Sequence, residues 1–262
     1  MEAAQVAQRP MRWYQRGKLQ ALAACLLLVA LVSGWNWHNS PDVYATQLGE
    51  RRHVQLADGS SVTLDADSQI SVRFSDQRRA IHLDKGRARF DVAKDPMRPF
   101  AVTAATQAVV AVGTSFSVEL LQDQLHVTMF EGEVAILSKQ QVASASKSLK
   151  ATPATANLTV GQELVANLRS GATTIQKTNV DRAQSWENGR IDFIDIPLAT
   201  AVERMNRYSD TPIVIADASA RKMLVNGVFD ATDQRSFLVG LTSLYPLEYK
   251  TDDEVIVITK NK

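Results

Sequence analysis

Between Val54 and Ile136 apolar residues recur at every second position in short runs. Ile70, Val72 and Phe74 alternate with Ser71 and Arg73, and Ala88, Phe90 and Val92 with Arg89 and Asp91. Phe116, Val118 and Leu120 alternate with Ser117 and Glu119, and Leu125, Val127 and Met129 with His126 and Thr128. A period of two sends one face of each strand to a core and the other to water, as in antiparallel sheets, and predicts an all-β sandwich or irregular roll. Asp58-Gly59, Lys85-Gly86 and Glu131-Gly132 fall between runs, where a tight hairpin calls for positive φ. Asp95-Pro96 and Arg98-Pro99 mark a further break. Ser138 to Asn157 is rich in Ser, Ala, Lys, Gln and Thr and lacks aromatic residues, so it reads as a mobile loop before a last β segment around Leu158 to Leu164.

Beyond Trp186 the period changes. Ile191, Phe193 and Ile194 form a short strand, and Pro197 opens a helix carrying Leu198, Ala201, Val202 and Met205 on one face. Strands follow at Ile213 to Ile215 and Leu224 to Phe229. Thr232 or Asp233 caps a second helix with Phe237, Leu238, Leu241 and Leu244 on one face, and the chain closes with Leu247 to Tyr249 and Val255 to Ile258. The expected module is a small βαββαβ unit with both helices on one side of a single sheet.

Ahead of the strands, Leu19 to Val32 is apolar except for Gln20 and runs on through Ser33 and Gly34 to Trp35 and Trp37, with Arg9, Arg12, Arg16 and Lys18 before it. Basic residues on one side and indoles on the other orient a helix with its N-terminus in the cytoplasm and its far end at the opposite interface. A cleavable leader has a similar length and charge pattern; the retained anchor is the reading adopted. Lipidation at Cys25 is disfavoured because the strongest apolar run follows the cysteine. The expected organisation is mainly β: 1–18 a short cytoplasmic tail, 19–37 a single transmembrane helix, 42–180 an antiparallel all-β domain, and 186–262 a small α/β domain. The predicted topology is N-in, C-out.

At 262 residues the chain is long enough for two ordinary cores. Net charge is +1 with no basic stripe, which argues against a nucleic-acid partner. Cys25 is the only cysteine, so there is neither an intrachain disulfide nor a zinc site of paired cysteines. His38, His53, His82 and His126 are scattered, and the last two occupy polar slots that face solvent in an alternating strand. Ser115 in Gly113-Thr114-Ser115-Phe116-Ser117 lacks the second glycine and following helix of a nucleophile elbow. Asp65 and Asp67 read as turn residues, and Gly161 and Gly189 are isolated. No catalytic, cofactor-binding or metal-ligating residue is predicted, and a hydrolytic β enzyme is disfavoured by the absence of a convergent acidic pair or triad.

Five ordered segments carry a resemblance: Leu56-Ala57-Asp58-Gly59-Ser60-Ser61-Val62-Thr63-Leu64-Asp65-Ala66-Asp67-Ser68, Lys85-Gly86-Arg87-Ala88-Arg89-Phe90-Asp91-Val92, Arg98-Pro99-Phe100-Ala101-Val102, Val112-Gly113-Thr114-Ser115-Phe116-Ser117-Val118 and Glu131-Gly132-Glu133-Val134. Together, over roughly Tyr44 to Leu164, they resemble the FecR family of ferric citrate regulator-type inner-membrane anti-sigma factors. The last region, with Ile194-Asp195-Ile196-Pro197-Leu198 and Val225-Asn226-Gly227-Val228-Phe229, resembles the short N-terminal domain of secretins and TonB-dependent transducers. The resemblance implies a relay from the signalling domain of an outer-membrane TonB-dependent transporter to an extracytoplasmic-function sigma factor, control of iron-siderophore uptake genes, and intramembrane and periplasmic proteases as further partners. It also implies a helical cytoplasmic sigma-binding domain, whereas only residues 1–18 precede the expected span, too few for a core of their own. The alternative is a periplasmic docking or assembly module of an envelope complex with no transcriptional role.

Overall fold

The structure is a computed structural model that describes residues 41–144, 152–252 and 254–261. The anchor expected at 19–37 and the tail at 1–18 lie outside the described residues, among which no helix is long and apolar enough to cross a membrane. Asp42–Lys262 forms one compact unit holding two main apolar cores, one drawn from Val54 to Ala166 and one from Ile191 to Ile258.

The first core lies between two sheets that share one long strand. In chain order the strands are β1 Asp42–Ala45, β2 Arg52–Gln55, β3 Ser61–Leu64, β4 Gln69–Phe74, β5 Arg79–Asp91, β6 Phe100–Ala104 and β7 Gln107–Ala111. They continue as β8 Ser115–Leu120, β9 Gln124–Glu131, β10 Glu133–Ser138, β11 Ala156–Thr159, β12 Gln162–Asn167 and β13 Thr173–Lys177. One sheet runs β1-β4-β5-β6-β7-β10-β11 and the other β2-β3-β5-β8-β9-β12-β13. The predicted alternation is realised on the inward face, where Phe90 stacks on Phe116 at 5.3 Å and meets Phe100 edge-on at 6.0 Å.

Of the three glycine dipeptides expected to make hairpins, one does so. Asp58-Gly59 joins β2 to β3, which pair with each other. Lys85-Gly86 instead lies inside β5, whose first half pairs with β4 and β6 and whose second half pairs with β3 and β8. A strand that changes sheets must bend sharply, and Gly86 supplies the bend at φ 80. A Cβ there would lie 2.2 Å from Ser68 Oγ and 2.6 Å from the Asp67 carbonyl oxygen. Glu131-Gly132 is likewise a corner, because β9 and β10 belong to different sheets. In the stretch expected to be a loop, Lys139–Ser144 forms a short helix, α1, and residues 145–151 lie outside the described residues.

A short helix α2 (Val180–Ala183) and a 3-10 turn (Ser185–Asn188) lead into the α/β module. That module comprises β14 Arg190–Pro197, α3 Leu198–Met205, β15 Ile213–Ile215, β16 Leu224–Asp230, α4 Gln234–Leu244, β17 Leu247–Thr251 and β18 Ile256–Lys260. The single sheet expected from the sequence is corrected to two, an antiparallel β14–β16 pair and a three-stranded β15-β18-β17 sheet. Helices α3 and α4 each pack against strands of both sheets. On α3, Leu198, Ala201, Val202 and Met205 are buried in the module's own core, where strands of both sheets pack on the helix. Of the two proposed caps for α4, Asp233 serves, its Oδ1 accepting from Ser236 N at 2.9 Å, while the Thr232 hydroxyl donates to Asp230.

Candidate functional site

The polar positions of β8 and β9 carry the main departure from the sequence reading. Ser117, Glu119, His126 and Thr128 alternate with core residues and are expected to face water, yet all four are buried. Helix α3 and the 3-10 turn Asn206–Tyr208 that follows it meet this face. Arg204 straddles the Glu119 carboxylate, Nε donating at 3.1 and 3.2 Å and Nη2 at 2.6 Å, and Arg207 Nη1 donates to Glu119 Oε1 at 2.8 Å. Arg87 Nη1 lies 3.9 Å from the same carboxylate. Arg87 turns its Nε and Nη2 to Asp65 Oδ2 at 2.8 and 2.5 Å, and the Tyr208 hydroxyl donates to Asp65 Oδ1 at 2.6 Å. Glu119 and Asp65 belong to the sandwich, while Arg204, Arg207 and Tyr208 belong to the α/β module.

Burial alone would push the Glu119 carboxyl up, but Arg204, Arg87 and Arg207 together overcome it and hold it well below the usual carboxylate range. For Arg87 the penalty of burial is likewise overcome by Asp65 and Glu119, so its guanidinium is held more firmly charged than in water. Burial, assisted by the Asp65 carboxylate that accepts its proton, pushes the Tyr208 phenol up. Glu119 and Arg87 therefore stay in the charged form that binds their partners, the condition under which buried charge is tolerated. A carboxylate held by two planar guanidinium forks also has a defined orientation, which a lysine ammonium would not impose.

A second set of contacts fixes the turn between the modules. Arg51 Nη1 donates to the carbonyl oxygens of Trp186 and Glu187 at 2.7 and 2.8 Å, Arg89 Nη1 to Glu187 Oε1 at 2.9 Å, and the Arg87 guanidinium lies 4.6 Å from the centre of the buried Trp186 ring. His126 places Nδ1 2.9 Å from Glu163 Oε1 and Nε2 2.9 Å from Gln124 Oε1. Burial pushes the Glu163 carboxyl up, but His126, Gln176 and Arg204 together outweigh it and lower it.

One reading of a single residue is thereby corrected: His126 is not a solvent-facing strand residue, because the polar face it sits on is covered. Asp65 lies at the turn after β3, where Arg87 and Tyr208 hold it. Asp67 pairs with Lys85 at the surface, Ser115 Oγ donates to Asp91 Oδ1 at 2.6 Å, and His38 lies outside the described residues. His53 and His82 contact Thr63 Oγ1 and the Thr103 carbonyl oxygen on separate strands. Among the described residues no three His, Cys, Asp or Glu side chains converge as metal ligands. Sequence reasoning missed Glu119, Arg87, Arg204, Arg207 and Tyr208 as a group. The available signal was Arg204 and Arg207, three apart, one at the end of the mostly apolar α3 and one in the 3-10 turn that follows it.

Open clefts flank this contact. One of about 1310 Å³ lies beside Leu120, Gln122, Glu203 and Arg207, and one of about 430 Å³ beside Glu119, His126, Asp192 and Arg204. On the β14–β16 pair Ile194, Leu224 and Val228 are 47%, 51% and 53% exposed, and Ile194 also borders the smaller cleft.

The family model described as FecR protein matches residues 42–135. Two crystal structures of a "putative anti-sigma factor" from Parabacteroides distasonis share the fold, each with a TM-score of 0.74 at 20% identity. The likeness covers 85% of this chain in one and 84% in the other, and 100% of the other protein in both, so it takes in the α/β module as well as the sandwich. No curated protein matches the chain. The FecR match thus lies within the sandwich, and the structural likeness extends the shared fold to the α/β module.

Proposed function

We propose that the protein is a single-pass inner-membrane regulator of the anti-sigma type, with residues from Asp42 onward in the periplasm. The observation that carries this reading is the match of residues 42–135 in the sandwich to the FecR family model. The fold shared with the Parabacteroides distasonis protein supports it, as do the basic and indole flanks of residues 19–37. The α/β module is the receiving end. Its exposed strip of Ile194, Leu224 and Val228 offers apolar side chains and strand backbone to the signalling domain of an outer-membrane TonB-dependent transporter. The sandwich passes the signal toward the membrane, where intramembrane and periplasmic proteases act and an extracytoplasmic-function sigma factor governing iron-siderophore uptake genes is the output. The role is one of binding and relay, with no chemical step.

The test is to delete the chromosomal gene and follow transporter transcription, while the tagged full chain is purified from membranes and probed for a bound sigma factor. The regulator reading expects altered transporter transcription and a co-purifying sigma factor. Unchanged transcription with no sigma factor bound overturns it in favour of an envelope docking module. Val228→Asp, which places a charge in the exposed strip, is expected to weaken binding to the signalling domain by about tenfold or more.

A further inference from the structure

The contacts between the modules divide into two kinds. The turn Ser185–Asn188 is fixed to the sandwich through the buried Trp186 ring and the donors Arg51 and Arg89. Beyond it, α3 and Asn206–Tyr208 touch the sandwich through Glu119, Asp65, the Gln122 N–H on Glu203 and the Gly49 N–H on the Arg207 carbonyl oxygen. Every group in this second set is a charge or a hydrogen-bonding atom that water can serve equally well once exposed. The two clefts leave room for movement on either side. Gly189, in the left-handed conformation at φ 78, stands between the fixed turn and β14.

From this arrangement we propose that the Glu119–Arg204–Arg207 contact is a releasable ionic latch, and that the α/β module swings away from the sandwich about Gly189 while the Trp186 turn stays in place. Opening leaves both apolar cores intact, because the inward face of β8 and β9 packs within the sandwich and the apolar face of α3 within its own module. The sandwich side of the latch carries Asp65, Glu119 and Glu163 against Arg87 and His126, and the helix side carries Arg204 and Arg207. The two surfaces thus attract when closed and remain soluble when parted. The latch stands on these contacts alone and is independent of which partner reads it.

Two neighbouring residues on β9 separate this motion from unfolding. In the full chain with Cys25→Ser, a thiol at His126→Cys reports the latched face and one at Val127→Cys reports the sandwich core. Glu119→Gln is expected to speed thiol labelling at position 126 by about a hundredfold, the loss that follows from stranding buried guanidinium groups, and to leave position 127 unchanged. Raising salt from about 0.05 to about 0.5 M with Glu119 in place is expected to move position 126 in the same direction, through screening. Labelling that rises equally at both positions means that global unfolding is the only opening and overturns the latch. Unchanged labelling at position 126 in both measurements also overturns it.

Discussion

Strands β8 and β9 bury both of their faces, and the two burials have different chemistry. Inward, Phe116, Val118, Leu125, Val127 and Met129 join an apolar core that only unfolding exposes. Outward, Ser117, Glu119, His126 and Thr128 are almost as completely covered, with Glu119 held by arginines and His126 by Glu163 and Gln124. The first face holds the sandwich together; the second decides how the α/β module is oriented upon it. Burial therefore does not by itself identify a core, since a buried carboxylate and a buried phenylalanine respond differently to salt and acid.

The largest effect is expected from the inward face. Phe116→Ala removes the ring stacked on Phe90 and should cost about 3–5 kcal/mol, seen as an earlier denaturation midpoint with both modules' signals affected. Gly86→Ala, at the corner where β5 changes sheets, should cost about 2–3 kcal/mol, because φ 80 is strained for a side chain and the Cβ collides with Ser68 Oγ and the Asp67 carbonyl. The outward face responds more gently. Tyr208→Phe deletes only the donor to Asp65 and should cost about 1 kcal/mol, with labelling of the sandwich core unchanged.

Acid sharpens the comparison further. The Glu119 carboxyl is held below its unfolded value, so its contribution is fully present above about pH 4.3 and is lost as pH falls from there through the folded value. Between pH 7 and 5 Glu119 should contribute no change at the latched face. On acidification beyond that it should open before the apolar core does, which labelling at the latched face against the core, read as a function of pH, will report.

The inward face was legible because period-two alternation is a local signal: Phe116, Val118, Leu125 and Val127 announce themselves within two neighbouring runs. The same signal records only that Glu119 and His126 are polar, and whether a polar face is covered depends on Arg204, 85 positions away in the chain from Glu119. β13 was missed for a related reason: all of Thr173–Lys177 is exposed and Ile175 is its one large apolar residue, so no alternation marks it as a strand. The first half of β5 went unread because Gly86 resembles a hairpin turn, and a corner and a turn demand the same backbone of glycine. In the α/β module the elements themselves were legible from Pro197, Asp233 and the helical spacing, while their division into two sheets was not, since pairing partners are set by packing around α3.

The claim that Glu119 and Arg204 form the working contact between modules is tested most directly by a double-mutant cycle in the full chain, combining Glu119→Gln with Arg204→Gln under denaturant. The account predicts a coupling of at least about 1 kcal/mol, the range for residues that share one buried ionic network. Additive effects, with the double variant losing the sum of the two single losses, would contradict it.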